Sequence, residues 1–383
     1  MDFSFTEEQT LLADSVRRYL DDRFHFEARK QWLKSANGAS THSPTMWSEL
    51  AGLGVLALRV PEQEGGLGGG AVETLVVAQA LSSSLVLEPF LGSAVVATRA
   101  IAELGTAEQR AAWLPDMAEG KTIVVPVLGG TAASTDKAVA ATASAGGWQL
   151  NGTARAVYHA PAAQAFVVTA RTAADEGAAD ALFLVPANSA GLRHTAYVTV
   201  DSQSAADLVF DGVQVGADAR LGEGEVSAAI AALADLALFT LCAEALGSME
   251  QAVALTVDYT RNRQQFGVPL ARFQVLQHRM VDMQTHVEQA RSLVYLAASL
   301  LDADEGEDCR SELARDSISR TKAVAAMQVL VLEAARYVSQ QAVQLHGGMG
   351  VTDEMAISHH FKRLLATGLR CGTAAQHLER YAS

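Results

Sequence analysis

A chain of 383 residues, 49% hydrophobic and 19% charged, has material for two or three units with substantial cores, which excludes a disordered or fibrous protein. Its net charge of −14, with no basic cluster to offset it, excludes nucleic acid as a partner, because phosphate binding is driven by Lys and Arg. The cysteines Cys242, Cys309 and Cys371 are widely separated and make neither a disulfide framework nor a metal-ligand spacing, so no metal and a reducing, cytoplasmic compartment are expected.

The opening MDFSFTEEQ lacks the basic-then-apolar pattern of a signal peptide. Thr6-Glu7-Glu8-Gln9 fits a capping box, and Leu11, Leu12, Val16 and Leu20 follow at helical spacing. Helical patterns continue over 47–58, 71–87 and 93–117, punctuated by a Gly-rich loop at 64–70, which predicts a helical domain over 1–118. From Lys121 the pattern changes to β-branched runs at 122–128 and 165–169. Asn151-Gly152, between 148–150 and 153–158, predicts a hairpin turn. Further strands are expected at 181–185, 196–200 and 206–215, giving a middle β domain over 119–222. Long helical patterns return over 226–261, 271–301 and 311–345, with a short one at 374–381, forming a C-terminal four-helix bundle within 223–383. The apolar run 226–246 is interrupted by Asp235 and Glu244 and is rich in alanine, so it is expected to be a buried core helix and not a membrane span. The predicted fold class is α+β, mainly helical.

Two stretches carry the chemistry. The first, 344–373, opens with Gly347, Gly348 and Gly350 at the end of a helical pattern. Glycines there let the backbone take positive φ and approach a ligand, although a plain helix C-cap and loop would also use them. The second, 263–274, reads RQQFGVPLARFQ. Together they supply Arg-x-x-Phe-Gly followed by Gln, then Gln-x-x-Gly-Gly-x-Gly, and in this the chain resembles the acyl-CoA dehydrogenase family over essentially its whole length. The resemblance implies the same three-part architecture and FAD as cofactor.

A pyrophosphate-bearing cofactor needs fixed positive charge and backbone donors. The resemblance gives these roles to Arg263, with Gln265 and Phe266 beside it, reaching over the FAD of a neighbouring subunit. Phe273, Gln274, Gln344, Gly347 and Gly348 would complete the adenine half. Arg261 is the competing arginine, and register favours Arg263. On the flavin-ring side the chain departs from the family. Val127-Leu128-Gly129-Gly130 stands where a Thr-Glu-Pro-Gly turn is usual, and Val157, Tyr158 and His159 where a Trp and a Thr are usual.

The reaction implied is α,β-dehydrogenation of an acyl-CoA thioester, in which a carboxylate removes the α-proton and the β-hydrogen leaves as hydride. The family's usual Glu position, twenty-four residues after Gly347, holds Cys371. The alternative Glu position, on the preceding helix, holds Ala237, and the adjacent Arg used toward CoA is Leu238; Asp235 matches a family Asp on the substrate side. Cys371 could act as a base only with a lowered pKa; otherwise it is a small buried residue. Asp235 and His159 are weaker substitutes. The segments LVLEPF, AVYHAPAAQAFVVTART and GVTDEMAISHHFKRL resemble the small subunits of heteromeric members, whose partner chain supplies the carboxylate. The implied partners are an acyl-CoA substrate, a second acyl-CoA dehydrogenase chain in an α2β2 assembly, and electron-transfer flavoprotein as acceptor. A self-associating enzyme with an atypical base and a non-catalytic scaffold of the same fold are the alternatives.

Overall fold

The first turn forms as its sequence requires. Thr6 caps helix α1 (Glu7–Arg23) by accepting from the Gln9 backbone N–H, while the Gln9 side chain accepts from the Thr6 N–H, and Glu7 and Glu8 sit in the positive first turn. The computed structural model describes residues 5–36, 40–128, 139–172, 179–224, 226–305 and 319–383. After α1 come α2 (Phe26–Ser35), α3 (Pro44–Gly52), α4 (Ala71–Ser83), a π-helical stretch over Phe90–Ala97, α5 (Thr98–Leu104) and α6 (Ala107–Ala118). Strands β1 (Val124–Val127), β2 (Val139–Ser144), β3 (Gly147–Tyr158), β4 (Ala165–Thr172), β5 (Ala179–Pro186), β6 (Leu192–Val198), β7 (Ser204–Gly216) and β8 (Arg220–Leu221) follow. The chain then forms α7 (Ser227–Asn262), the short strands β9 (Gln264–Gln265) and β10 (Val268–Pro269), and helices α8 (Gln274–Glu305), α9 (Arg320–His346), α10 (Ala356–Arg370) and α11 (Ala374–Ala382). This is an α+β fold with helical N-terminal part, central sheet and C-terminal helices, as the sequence predicts.

The chain divides into two compact units. One comprises Met1–Gln31, Ala71–Val86 and Leu238–Ser383. In it α9 packs against α8, α10 and α11, and α4 packs against α1 and α8. Helix α4 is buried from Thr74 to Ser82, so it is covered on all sides, with Thr74, Gln79 and Ser82 among its buried residues. Its N-terminus is capped by the Asp302 carboxylate of α8, which accepts from the Ala71 and Val72 N–H groups. Gly247 lets α7 come against α4; a Cβ there would lie 2.3 Å from the Gln79 carbonyl oxygen. The apolar window of α7 is mostly buried, although its length and composition alone would suit a membrane span.

The other unit comprises Trp32–Gly70 and Leu87–Ala237. Its sheet runs β6-β7-β3-β2-β4-β5-β8, with β1 pairing in parallel on β4. Strand β4 is central and buried on both faces along most of its length, which explains its unbroken apolar sequence. Arg220 lies over the Trp148 ring at 5.7 Å, and Trp148 packs at 5.5 Å from Phe183. Ahead of the sheet, the buried Glu88 carboxylate accepts from the Ser43 N–H at 3.0 Å and pairs with His42. Burial raises the Glu88 pKa, with the His42 contact opposing the rise.

Several expectations need correction. Asn151-Gly152 is no hairpin turn. β3 runs straight through it, and the turn joining β2 to β3 is at Ala145-Gly146, with Gly146 at φ 89°. Gly152 is required because a Cβ would lie 2.9 Å from the Val139 Cα, and the Asn151 side chain accepts from the Gly212 N–H. The pattern at 93–117 divides into the π-helical stretch, α5 and α6, because Gly105 and the Thr106 capping box restart the helix. Helix α10 occupies a stretch for which periodicity predicts none. Its buried face includes Ser358, His359, His360, Arg363 and Thr367, polar residues that a hydrophobicity pattern assigns to solvent. Residues 311–318 of the predicted third long helix, Gly129 and Gly130 of the departing turn, and Cys309 lie outside the described residues.

Candidate functional site

The C-terminal end of α7 is shaped by a tight hairpin. Arg263 N–H donates to the Tyr259 carbonyl at 2.8 Å, and the Leu270 N–H returns to the Arg263 carbonyl at 2.9 Å. Between them β9 pairs antiparallel with β10 through Phe266 and Gly267, at φ 57° and 80°. Two consecutive positive φ values are the type I′ signature, whose twist suits a two-residue hairpin. Glycine takes such a value freely, but a phenylalanine there costs on the order of 1–3 kcal/mol. Phe266 is also 89% exposed. The same residue is strained and undercovered, and its ring meets Phe273 in a T-shaped contact, at 6.1 Å and 89°. Phe273 is half-buried, and Gln274, the first residue of α8, is exposed, as are Arg263 and Gln265.

The end of α9 leaves the same end of the bundle. The Tyr259 and His346 rings stack at 4.3 Å and 24°, and the Tyr259 hydroxyl donates to the His346 carbonyl at 3.3 Å. Burial lowers the His346 pKa, and its Nδ1–H donates to the Ala342 carbonyl at 2.8 Å, so a neutral ring forms this joint. Arg263 lies one turn beyond Tyr259, and Gly347 is next after His346. The structure thus brings the hairpin and the glycine run together at one end of α7 and α9.

The three glycines differ in what holds them. Gly347 is the C-cap of α9, at φ 60°. Gly350 is demanded by packing, since a Cβ would lie 2.5 Å from the Val343 carbonyl oxygen. Gly348 has neither reason: its φ is ordinary and a Cβ would meet nothing within 4 Å. Nothing among the described residues requires a bare backbone there, and a ligand approaching from outside would. Gln344 and both Gly347 and Gly348 are exposed. No carboxylate among the described residues pairs with the Arg263 guanidinium. A free guanidinium near open backbone fits an anionic, pyrophosphate-bearing group.

The remaining predicted positions are buried or half-buried. Asp235 is fully buried on α7 and belongs to the second unit, with Ala237 half-buried after it; Leu238 is buried. His159 takes φ 61°; its N–H donates to the Ser204 carbonyl at 2.7 Å and its Nε2–H to the Leu87 carbonyl at 3.0 Å, so its polar groups are engaged in the fold. Tyr158 is half-buried at the end of β3. Cys371 is fully buried as the C-cap of α10, and its carbonyl accepts from His377 Nε2–H at 2.6 Å. Cys242, on α7, is also fully buried. The Cys371 side chain and burial push the Cys242 thiol well above its usual pKa.

Sequence reasoning misses a buried cluster in the first unit: Arg29 donates to the Leu85 carbonyl and to His359 Nδ1, both at 3.0 Å, and Arg363 donates to the Val86 carbonyl at 3.1 Å. His360 Nδ1 pairs with the Ser248 hydroxyl at 2.8 Å. The adjacent HH and KR of 359–363 were the only signal available.

The chain is similar to known proteins over essentially its whole length. The acyl-CoA dehydrogenase N-terminal domain matches residues 6–121, and the acyl-CoA dehydrogenase C-terminal domain matches 228–383. Acyl-CoA dehydrogenase FadE27 of Mycobacterium tuberculosis is 31% identical over 337 residues, covering 88% of this chain and 86% of that protein. The crystal structure of the ChsE4-ChsE5 complex from the same organism superposes with a TM-score of 0.88 at 29% identity, over 100% of this chain and 98% of that one. A Tcur3481-Tcur3483 steroid ACAD variant superposes at 0.84 with 28% identity, over 98% and 97%.

Proposed function

The chain belongs to the acyl-CoA dehydrogenase family, and from that premise we propose that it is one polypeptide of an FAD-dependent heteromer whose catalytic carboxylate comes from a second, dissimilar acyl-CoA dehydrogenase chain. The observation that carries this reading is at Cys371. The position that the family gives to a base holds a thiol that is fully buried. A carboxylate is ionised at neutral pH by its ordinary pKa and can accept the α-proton, whereas a thiol by its ordinary pKa is mostly protonated there. Ala237, at the alternative position, has no group to offer.

What the chain keeps is what it would lend. Arg263 offers charged N–H donors to phosphate, Gln265 and Gln344 offer amides, Phe266 and Phe273 offer ring surface, Gln274 lies beside them, and Gly347 and Gly348 leave backbone uncovered. The strain and exposure of Phe266 suit a residue that a neighbouring subunit covers. FAD, when bound, supplies the two-electron acceptor of an α,β-dehydrogenation. Asp235 is assigned to the substrate side. The segment boundaries 1–118, 119–222 and 223–383, the α2β2 assembly, the cytoplasmic location and electron-transfer flavoprotein as acceptor belong to the same proposal. The ChsE4-ChsE5 complex and the steroid ACAD favour a heteromer and a bulky, steroid-like or lipid acyl group.

The flavin absorbance spectrum tests this. The chain purified alone should carry less than one FAD per polypeptide, and co-expression with a partner chain bearing an intact Glu should bring the assembly to full loading. Stoichiometric FAD on the chain alone would overturn the shared site.

A further inference from the structure

Tyr259, near the end of α7, touches both halves of the proposed cofactor site. Its backbone carbonyl accepts from the Arg263 N–H at 2.8 Å, which carries the last helical turn out to the base of the hairpin. Its ring stacks on His346 at 4.3 Å and 24°, and its hydroxyl donates to the His346 carbonyl at 3.3 Å. That carbonyl directly precedes Gly347, whose N–H closes α9 by donating to the Gln344 carbonyl. All of these residues belong to one compact unit. Gly347 and Gly348 have no side chains to hold them, and a Cβ at either would meet nothing within 4 Å, so the joint at His346 fixes where the bare backbone begins. The His346 carbonyl also lies at the negative end of α9, which disfavours an anionic group, and the Tyr259 hydroxyl offsets part of that charge.

We propose that Tyr259 is a positioning residue for FAD, setting the placement of the Arg263 guanidinium relative to the backbone at Gly347-Gly348. The inference rests on the FAD reading above and adds to it a residue outside both sequence motifs. Ring and hydroxyl have separate tasks. The ring holds the end of α7 against the end of α9, and the hydroxyl fixes the carbonyl from which the glycine run departs. Charge-assisted contacts depend on direction as well as distance, so an anionic group held between the two anchors loses affinity when either one shifts. Tyr259 acts through Arg263 and Gly347, and it needs no contact of its own with the cofactor.

The test uses the full chain co-purified with a second acyl-CoA dehydrogenase chain bearing an intact Glu, stripped of flavin and titrated with FAD by flavin fluorescence. Tyr259→Phe keeps the ring and loses the hydroxyl, and loss of that one hydrogen bond should raise the FAD dissociation constant about two- to tenfold. Tyr259→Leu loses both and should raise it further. Tyr337→Phe, in another His–Tyr ring pair of the same unit (His286 and Tyr337, 4.3 Å), should leave it at the parent value. A residue that acts through Arg263 has a smaller effect once that side chain is gone, whereas a merely structural one has the same effect in both backgrounds. Tyr259→Phe should therefore change the dissociation constant less in Arg263→Ala than in the parent. If Tyr259→Leu fails to fold, or Arg263→Ala binds no FAD, the contrast of Tyr259→Phe with Tyr337→Phe decides alone. A parent-like dissociation constant in Tyr259→Phe, or an equal fold-change in the two backgrounds, would overturn the proposal and leave the FAD reading standing. A parent assembly that binds no FAD would overturn both.

Discussion

At Arg263 a single side chain separates two accounts of the hairpin. Arg261 lies in the last turn of α7, lining a groove with Asp258 and Glu250, where a cation also suits the helix C-terminus. Arg263 lies one position past the helix, at the base of the strained turn. Charge-assisted contacts to phosphate are the strong kind. We therefore expect Arg263→Ala to lower FAD retained per polypeptide in the assembled protein, and Arg261→Ala to leave it near the parent value. Equal occupancy in the two, by flavin absorbance, would remove Arg263 from the site. Cys371 gives a second contrast. A general base contributes roughly 10²–10⁴-fold, whereas a buried thiol without a chemical role contributes little. Cys371→Ala should keep turnover of the complete assembly within about threefold of the parent, on that scale. A hundredfold loss at normal FAD content would make the thiol catalytic. Both positions were legible in the sequence because short motifs carry fixed spacing.

Among the elements, α1 was legible from local chemistry, through its capping box, whereas the two-residue hairpin at Phe266-Gly267 was not predicted. Asn151-Gly152 carries an equally strong local signal and misleads, because the long pairing of β3 with β7 overrides it. Helix α10 fails in the opposite sense, its buried face being polar. That face makes a prediction. Burial, with Arg363, Arg29 and His359 adding to it, pushes the His360 pKa down to about 3, and His359 is also lowered, chiefly by burial. The unfolded chain binds protons at these rings near pH 6.5 and the folded chain does not. Stability is therefore fully present above about pH 6.5 and is lost as pH falls toward about 3. We expect the urea midpoint to fall over this range, and to fall less steeply in His360→Asn, where that titration is gone. An identical slope in the variant would show that His360 is not held neutral by the fold.

For the molecule as a whole, three segments by composition, two helical and one β, were legible from the change of period along the chain. The two compact units were not, because each gathers segments far apart in sequence, and periodicity carries no information on which segments meet. Function is where the reading depends on several residues at once. The chain keeps Arg263, Gln344 and an unexplained bare backbone at Gly348, and it lacks a carboxylate at both Cys371 and Ala237. We read that combination as favouring the proposed heteromer over a self-sufficient enzyme, and the first three as favouring it over a scaffold. The most direct test is acyl-CoA turnover with an artificial electron acceptor, measured on this chain purified alone in excess FAD and on the same chain co-purified with a second acyl-CoA dehydrogenase chain bearing an intact Glu. We expect little or no turnover from the chain alone and sustained turnover from the pair, and full turnover by this chain as a homo-oligomer would contradict the account.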